Sequence, residues 1–218
     1  SMVSKSKMEG SIGAKNKRKI LAAAEKAFAT HGFKGTSVQQ IADEAGLPKT
    51  NILYYFKSKQ GLYVALLQDI MSTWNSRFDK VTSEDDPAIS LADYIAEKMT
   101  MSRTHPLASK IFAMEVLNGA PYLNKFFRNE HVAWMNGRVA ILNSWIEQGR
   151  MQAVDPTYLL FHIWACTQHY ADFSAQISSL RGKAMKRVDF DEATRQLVHL
   201  VLTGCGLAVP QKYLEAPE

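Results

Sequence analysis

The sequence predicts an all-α protein, with a short three-helix segment followed by a larger helical one. Three observations lead there. Apolar residues recur every three or four positions along nearly the whole chain. No run of alternating β-branched residues lies between turn signals, so strands leave no signature. The helical stretches are punctuated by Gly32, Gly46, His105-Pro106, Gly119-Ala120-Pro121, Asp155-Pro156 and Arg181-Gly182.

Taken in order, residues 1–14 are rich in Ser, Lys and Gly and have almost nothing to bury, which predicts a flexible basic tail. From Lys15 an amphipathic helix carries Ile20, Ala23, Ala24, Ala27 and Phe28 at helical spacing, and Gly32 ends it. Ser37 with Gln40 three residues on has the spacing of a capping box and opens the helix VQQIADEA, which stops at Gly46. Pro48 stands where a first helical turn accepts proline, beginning a third helix over about 48–54. A long helix runs from Lys59 towards Phe78. Beyond Pro87 the pattern gives helices over 88–104, 107–117, 121–149, 156–180 and 189–208. The predicted division is a tail to residue 14, a short helical domain over 15–60 and a larger helical domain over 61–218.

Charge is spread unevenly. Residues 1–60 hold 11 Lys and Arg against 4 Asp and Glu, whereas residues 61–218 hold 15 against 17. A basic first quarter on a near-neutral remainder points to a polyanion as the partner of the first part, the plainer alternative being a solvated lysine-rich tail. No apolar run is long enough to span a bilayer, and no secretory signal pattern is present. Cys166 and Cys205 lie in apolar helical contexts, so the expectation is two buried thiols in a reducing cytoplasm.

Two short helices joined by a tight glycine turn and braced by a third form a helix-turn-helix, whose second helix fits the major groove. That recognition helix would present Lys49, Thr50 and Asn51 in its first turn, the end that meets base edges. Lys17, Thr36, Ser37, Tyr54, Tyr55 and Lys59 are suited to phosphate oxygens, which set affinity rather than sequence preference.

At this point the chain resembles a family. The run GFKGTSVQQIADEAGLPKTNILYYFKSKQGLY (32–63) is similar to the DNA-binding region of TetR-type transcriptional regulators. Many members have tyrosine at the place of Leu53; here the aromatic pair is Tyr54-Tyr55, which leaves open which tyrosine meets which phosphate. The stretches IWACTQHYADF (163–173) and AMEVLNGAP (113–121) extend the likeness to members of the family that respond to pyrimidines. The resemblance implies a homodimer on a palindromic operator, acting as a repressor whose hold on DNA changes when uracil or thymine binds. It implies Trp74, Trp164, Gln168 and Asp172 as the ligand contacts.

The residues supply a physical counterpart. On a helical wheel, Trp164, Gln168, Ala171, Asp172 and Ala175 fall on one side of residues 161–176, and His162, Cys166, His169 and Phe173 on the other. Both sides are too apolar for water, so the helix should be sandwiched, one side lining a cavity and the other meeting a neighbour such as a second subunit. Gln168 offers a donor beside an acceptor, the complement of the imide edge of a pyrimidine. Trp164 and Trp74 offer flat faces, and Asp172 can accept a ring N–H. Each residue also has a plainer role: tryptophan as core filler, the amide on a neighbouring backbone, Asp172 on an arginine. Residues 189–208 carry an apolar stripe that suits either a bundle shared by two subunits or closure of the chain's own core.

Other chemistries fit poorly. His162 and His169 lie about 10.5 Å apart along a helix axis, at about 1.5 Å per residue, too far for joint ligation of one metal with Cys166. No oxyanion turn, phosphate-cradling glycine loop or paired catalytic carboxylates accompany the Cys166/His169 pair. The expectation is a protein without catalysis, metal or cofactor.

Overall fold

The protein is described here by a computed structural model, which places the backbone of residues 2–215 and the side chains from Gly10 onward. Ser1 of the predicted tail and residues 216–218 of the predicted second domain lie outside the described residues. The helices are α1 (Met2–His31), α2 (Val38–Ala45), α3 (Lys49–Phe56), α4 (Lys59–Asp79), α5 (Pro87–Thr104), α6 (Pro106–Leu117), α7 (Asn124–Phe126), α8 (Val132–Glu147), α9 (Pro156–Asp172), α10 (Ser174–Arg181) and α11 (Arg187–Gly204). A π-helical turn, Phe127–His131, joins α7 to α8. Among the described residues there is no strand, and no helix is long and apolar enough to cross a membrane. The chain is all-α, with a helix-turn-helix segment first and a helical bundle after it.

The chain divides into two compact units. One holds the chain up to Met71 together with Lys110–Leu123; the other holds Ser72–Ser109 and the chain from Asn124 on. The first unit therefore extends past the boundary expected near residue 60, and the reason is aromatic packing. Phe28, Phe33 and Tyr63 form a ring cluster with centroids 4.9–6.1 Å apart, and Tyr122 joins it at 4.5 Å from Phe33. The Tyr63 hydroxyl donates to Glu115, whose other oxygen accepts the N–H groups of Tyr122 and Leu123. A carboxylate as buried as Glu115 needs such donors to offset desolvation.

Within this unit α1 packs on α2 and α2 on α3, with Ile20, Ala24, Phe28, Ile41, Ala42 and Ile52 fully buried. The expected capping box forms: Ser37 Oγ accepts from the Gln40 N–H, and Gln40 Oε1 accepts from the Ser37 N–H. Gly46 ends α2 at φ 67°, a left-handed turn that costs glycine nothing. Pro48 caps α3 rather than entering it, and α3 continues to Phe56, two residues beyond the expected end. Only two residues join α3 to α4, and a Cβ on Gly61 would lie 2.1 Å from the Phe56 carbonyl oxygen.

Helix α1 departs from expectation at its start. Its helix begins at Met2, where the sequence predicts a flexible tail. Once Ile20, Ala24 and Phe28 anchor the helix, extension adds one hydrogen bond per residue fixed, without the cost of a new nucleus.

In the second unit α5 is central, packed against α9 and α11. Asp86 and Asp155 cap α5 and α9 by accepting the N–H groups of Ile89 and Thr157, with Pro87 and Pro156 in the first turns. Phe78 stacks on Tyr94 at 4.5 Å, amid Leu91, Ile95, Met99, Leu142, Trp145, Leu160 and Ile163. Two stretches expected as single helices are interrupted. The π-helical turn breaks 121–149, and Phe173 separates α9 from α10, so Ala175 leaves the register of the wheel. Neither break carries glycine or proline. Cys205 is buried as expected, but Cys166 is exposed, because it lies on the outward face of α9.

Replacing Gly61 by Ala should force the α3–α4 turn apart. The expected cost is about 1–3 kcal/mol, as for overpacking in a tight site, measured as a lowered urea midpoint; an unchanged midpoint would contradict the close approach.

Candidate functional site

The exposed surface of the helix-turn-helix carries most of the predicted DNA contacts. Lys49 and Thr50 are exposed in the first turn of α3, with Asn51 half-buried beside them. Ser37 is exposed at the start of α2, although its hydroxyl oxygen serves the cap. Tyr54 is 75% exposed, whereas Tyr55 is half-buried, in edge contact with Tyr54, with its hydroxyl close to Gly13. Lys17 reaches from α1 over the Tyr55 ring, 5.5 Å from its centroid.

Two residues predicted to meet phosphates have partners within the protein. Thr36 is 3% exposed, and its hydroxyl donates to the carbonyls of Gly32 and Ala27, so it closes the α1–α2 corner. Lys59 donates to the Phe33 carbonyl at 2.8 Å and lies 4.3 Å from that ring's centroid, which makes it a brace within the unit. Both look polar and available in the sequence. Only the folded chain shows that backbone carbonyls already engage them.

In the second unit, three of the four residues expected to hold a ligand share one polar cluster. Its centre is Lys98, on α5, which the sequence reading missed. Lys98 is 2% exposed, and its ammonium donates to Gln168 Oε1 at 2.8 Å and lies 4.2 Å from the centroid of the Trp74 ring. Burial lowers its pKa to about 7, against the opposing pull of the Asp172 carboxylate. Asp172 in turn accepts from the Ser109 hydroxyl at 2.6 Å. One turn along α5, the Ser102 hydroxyl donates to the Thr167 carbonyl. A signal for Lys98 was present: it stands three residues after Ile95 and seven after Leu91, on the apolar stripe of its helix.

Trp164 belongs to a different neighbourhood. Its indole N–H donates to the Tyr94 hydroxyl at 2.9 Å, and its ring lies among Phe161, His131 and Trp134 with centroids 5.7–6.4 Å away. Tyr94–Trp164 and Lys98–Gln168 are thus successive rungs between α5 and α9, one turn apart on both helices. Burial lowers the pKa of His131, which favours its neutral ring in this aromatic setting.

The other side of α9 is open. His162, Cys166, His169 and Phe173 are all exposed. With Leu197, His199 and Leu200 of α11, Cys166 and His169 line a groove of about 960 Å³. Among the described residues, no group of three or more His, Cys, Asp or Glu is placed to hold a metal ion.

A capped helix pair presenting a short exposed helix, followed by a helical bundle, defines a helix-turn-helix DNA-binding regulator. The family model for bacterial regulatory proteins of the tetR family matches residues 20–66, and the model for the YcdC-like protein C-terminal region matches 67–208. The chain is 37% identical over 189 residues to the HTH-type transcriptional regulator RutR of Escherichia coli K12, covering 86% of this chain and 89% of that protein. It is 29% identical over 137 residues to the HTH-type transcriptional repressor NicS of Pseudomonas putida, covering 62% and 63%. The crystal structure of AibR in complex with isovaleryl coenzyme A and operator DNA shares the fold, with a TM-score of 0.64 at 17% identity over 85% of this chain and 97% of that one. The chain belongs to the TetR family and is a DNA-binding transcriptional regulator.

Lys98→Met should change how stability depends on pH. Between about pH 7 and the ordinary lysine range near ~10.4, the unfolded chain binds a proton that the folded amine has released, so this group makes stability rise with pH across that window. Below it both states are protonated and the cost of the buried charge is fully present. The variant lacks that rise, so its urea midpoint relative to the parent should be more favourable at pH 6 than at pH 9; an equal difference at both would exclude a charge-bearing Lys98.

Proposed function

We propose that this regulator releases a palindromic operator, or alters its grip on it, when a pyrimidine base such as uracil or thymine binds beside Trp74 and Gln168. The observation that carries the reading is the Lys98–Gln168 pair against the Trp74 ring, a buried set of directed polar atoms beside a flat aromatic face. The resemblance to pyrimidine-responsive members of the family, together with 37% identity to RutR, supports it.

The cluster revises how a base would be held. One lone pair of Gln168 Oε1 accepts from Lys98; the second lone pair suits a ring N–H, and the amide N–H₂ suits a ring carbonyl. Lys98 brings further donor capacity for the second carbonyl of an imide. Asp172 is tied to Ser109 and acts on Lys98 by its charge. Trp164 supports the neighbouring rung from its bond to Tyr94. For DNA, we assign Lys49, Thr50 and Asn51 to base edges, and Ser37, Tyr54 and Lys17 to phosphates.

Trp74 lies on α4, which starts two residues after α3. A ligand that favours one placement of α4 would change the recognition helix, and hence operator affinity, by its differential affinity for the two placements. The protein acts as a homodimer in this reading. The α9–α11 groove with Phe161, Phe173 and Leu200 is an apolar face of the kind that marks an interface, and Leu200 is 71% exposed.

Gln168→Glu keeps an acceptor for Lys98 and removes the amide donor. Calorimetry with uracil should show affinity lowered by about 10- to 100-fold, one or two directed hydrogen bonds, while operator binding persists; parent-like affinity would refute the role of Gln168. Leu200→Glu should turn the dimer into a monomer by sedimentation, and a persistent dimer would move the interface elsewhere.

A further inference from the structure

Residues 2–19 contain Lys5, Lys7, Lys15, Lys17, Arg18 and Lys19 against a single acid, Glu9. They form the leading turns of α1, a helix continuous with the buried stripe of the DNA-binding unit. That stripe runs back through Phe28, Ala24 and Ile20 and then loses its apolar character. The next positions in register are Lys17, Gly13 and Gly10, none of which brings a large apolar side chain.

Among the described residues this face meets the recognition helix: Tyr55 lies against Gly13, and Lys17 covers its ring. Tyr54, next to it, is among the most exposed large side chains of the chain. The turns before Gly13 therefore start from the C-terminal end of the recognition helix and continue for roughly 16 Å at about 1.5 Å per residue, the axial rise of about five base pairs. Lys15, Arg18 and Lys19 are exposed, and among the described residues they enter no ion pair.

We infer that the leading turns of α1 form a second DNA-contacting element, a basic helix that lies along phosphates outside the groove read by α3. It adds affinity without sequence preference, because lysines meeting phosphates carry no base information. The partner is double-stranded DNA, and the inference rests on the DNA binding of the family rather than on the choice of effector.

The test uses the full chain carrying Lys5→Gln, Lys7→Gln and Lys15→Gln, a duplex that the parent protein selects from a randomised pool, and a random duplex. Each lost phosphate contact reduces the slope of log affinity against log salt by about 0.9. The variant should show a slope shallower by about two to three units between about 50 and 200 mM salt. Its affinity should fall on the order of tenfold, equally for both duplexes, with thermal stability and calorimetric uracil response as in the parent. A slope and affinity equal to the parent's would overturn the inference, as would a loss confined to the selected duplex. In the parent, amide hydrogen exchange of residues 2–14 should slow when duplex is added; an unchanged rate would overturn it too. Because the parent must first bind the selected duplex, failure of the family's DNA binding would be visible separately.

Discussion

Burying the ammonium of Lys98 is the constraint around which the second unit is arranged. A lysine 2% exposed loses its hydration, and that loss must be offset by directed partners. Gln168 accepts from it, the Trp74 ring lies against it, and the charge of Asp172 opposes the desolvation. These partners come from α4 and α9, so the lysine ties the register of α5 to both. The Tyr94–Trp164 rung one turn away uses the same spacing, and the Ser102 and Ser109 hydroxyls extend the polar seam. A core held only by Leu and Ile could slide by a methylene with modest loss. A core threaded by hydrogen bonds has fewer acceptable positions.

In the proposed reading, the same arrangement would let the helical bundle serve as a sensor. Its polar atoms are concentrated beside an aromatic ring, on a helix that begins at the DNA-binding segment. The amine, with a pKa near 7, sits close to the balance between charge and neutrality, so a carbonyl-bearing guest would alter that balance by direct hydrogen bonding. The first unit solves a comparable problem differently. Glu115 is buried but accepts from three donors, and burial together with the negative charge of Glu115 holds Tyr63 firmly protonated. There the polar group staples loops to a ring cluster and leaves the exposed turn of α3 for DNA.

Much of the fold was legible because local chemistry and global structure agree. Ser37 with Gln40, Gly46, Asp86-Pro87 and Asp155-Pro156 each satisfy helix ends by bonds made within a few residues, so sequence alone locates them. The interruption at Phe173 and the π-helical turn at Phe127–His131 left no such mark, since any residue type can take up a register slip. The leading turns of α1 were illegible for a related reason. Composition shows that they bury little, but not that an anchored helix carries them.

The sequence by itself determined the all-helical class and the helix-turn-helix, because periodicity, caps and residue chemistry are local properties. Tertiary structure alone decided who meets whom. It gave Thr36 and Lys59 to backbone carbonyls, sent Trp164 to Tyr94 and brought Lys98 from 70 residues away to Gln168. Contacts between distant segments depend on how helices pack, and one-dimensional spacing carries no record of which exposed-looking polar group the fold will enclose.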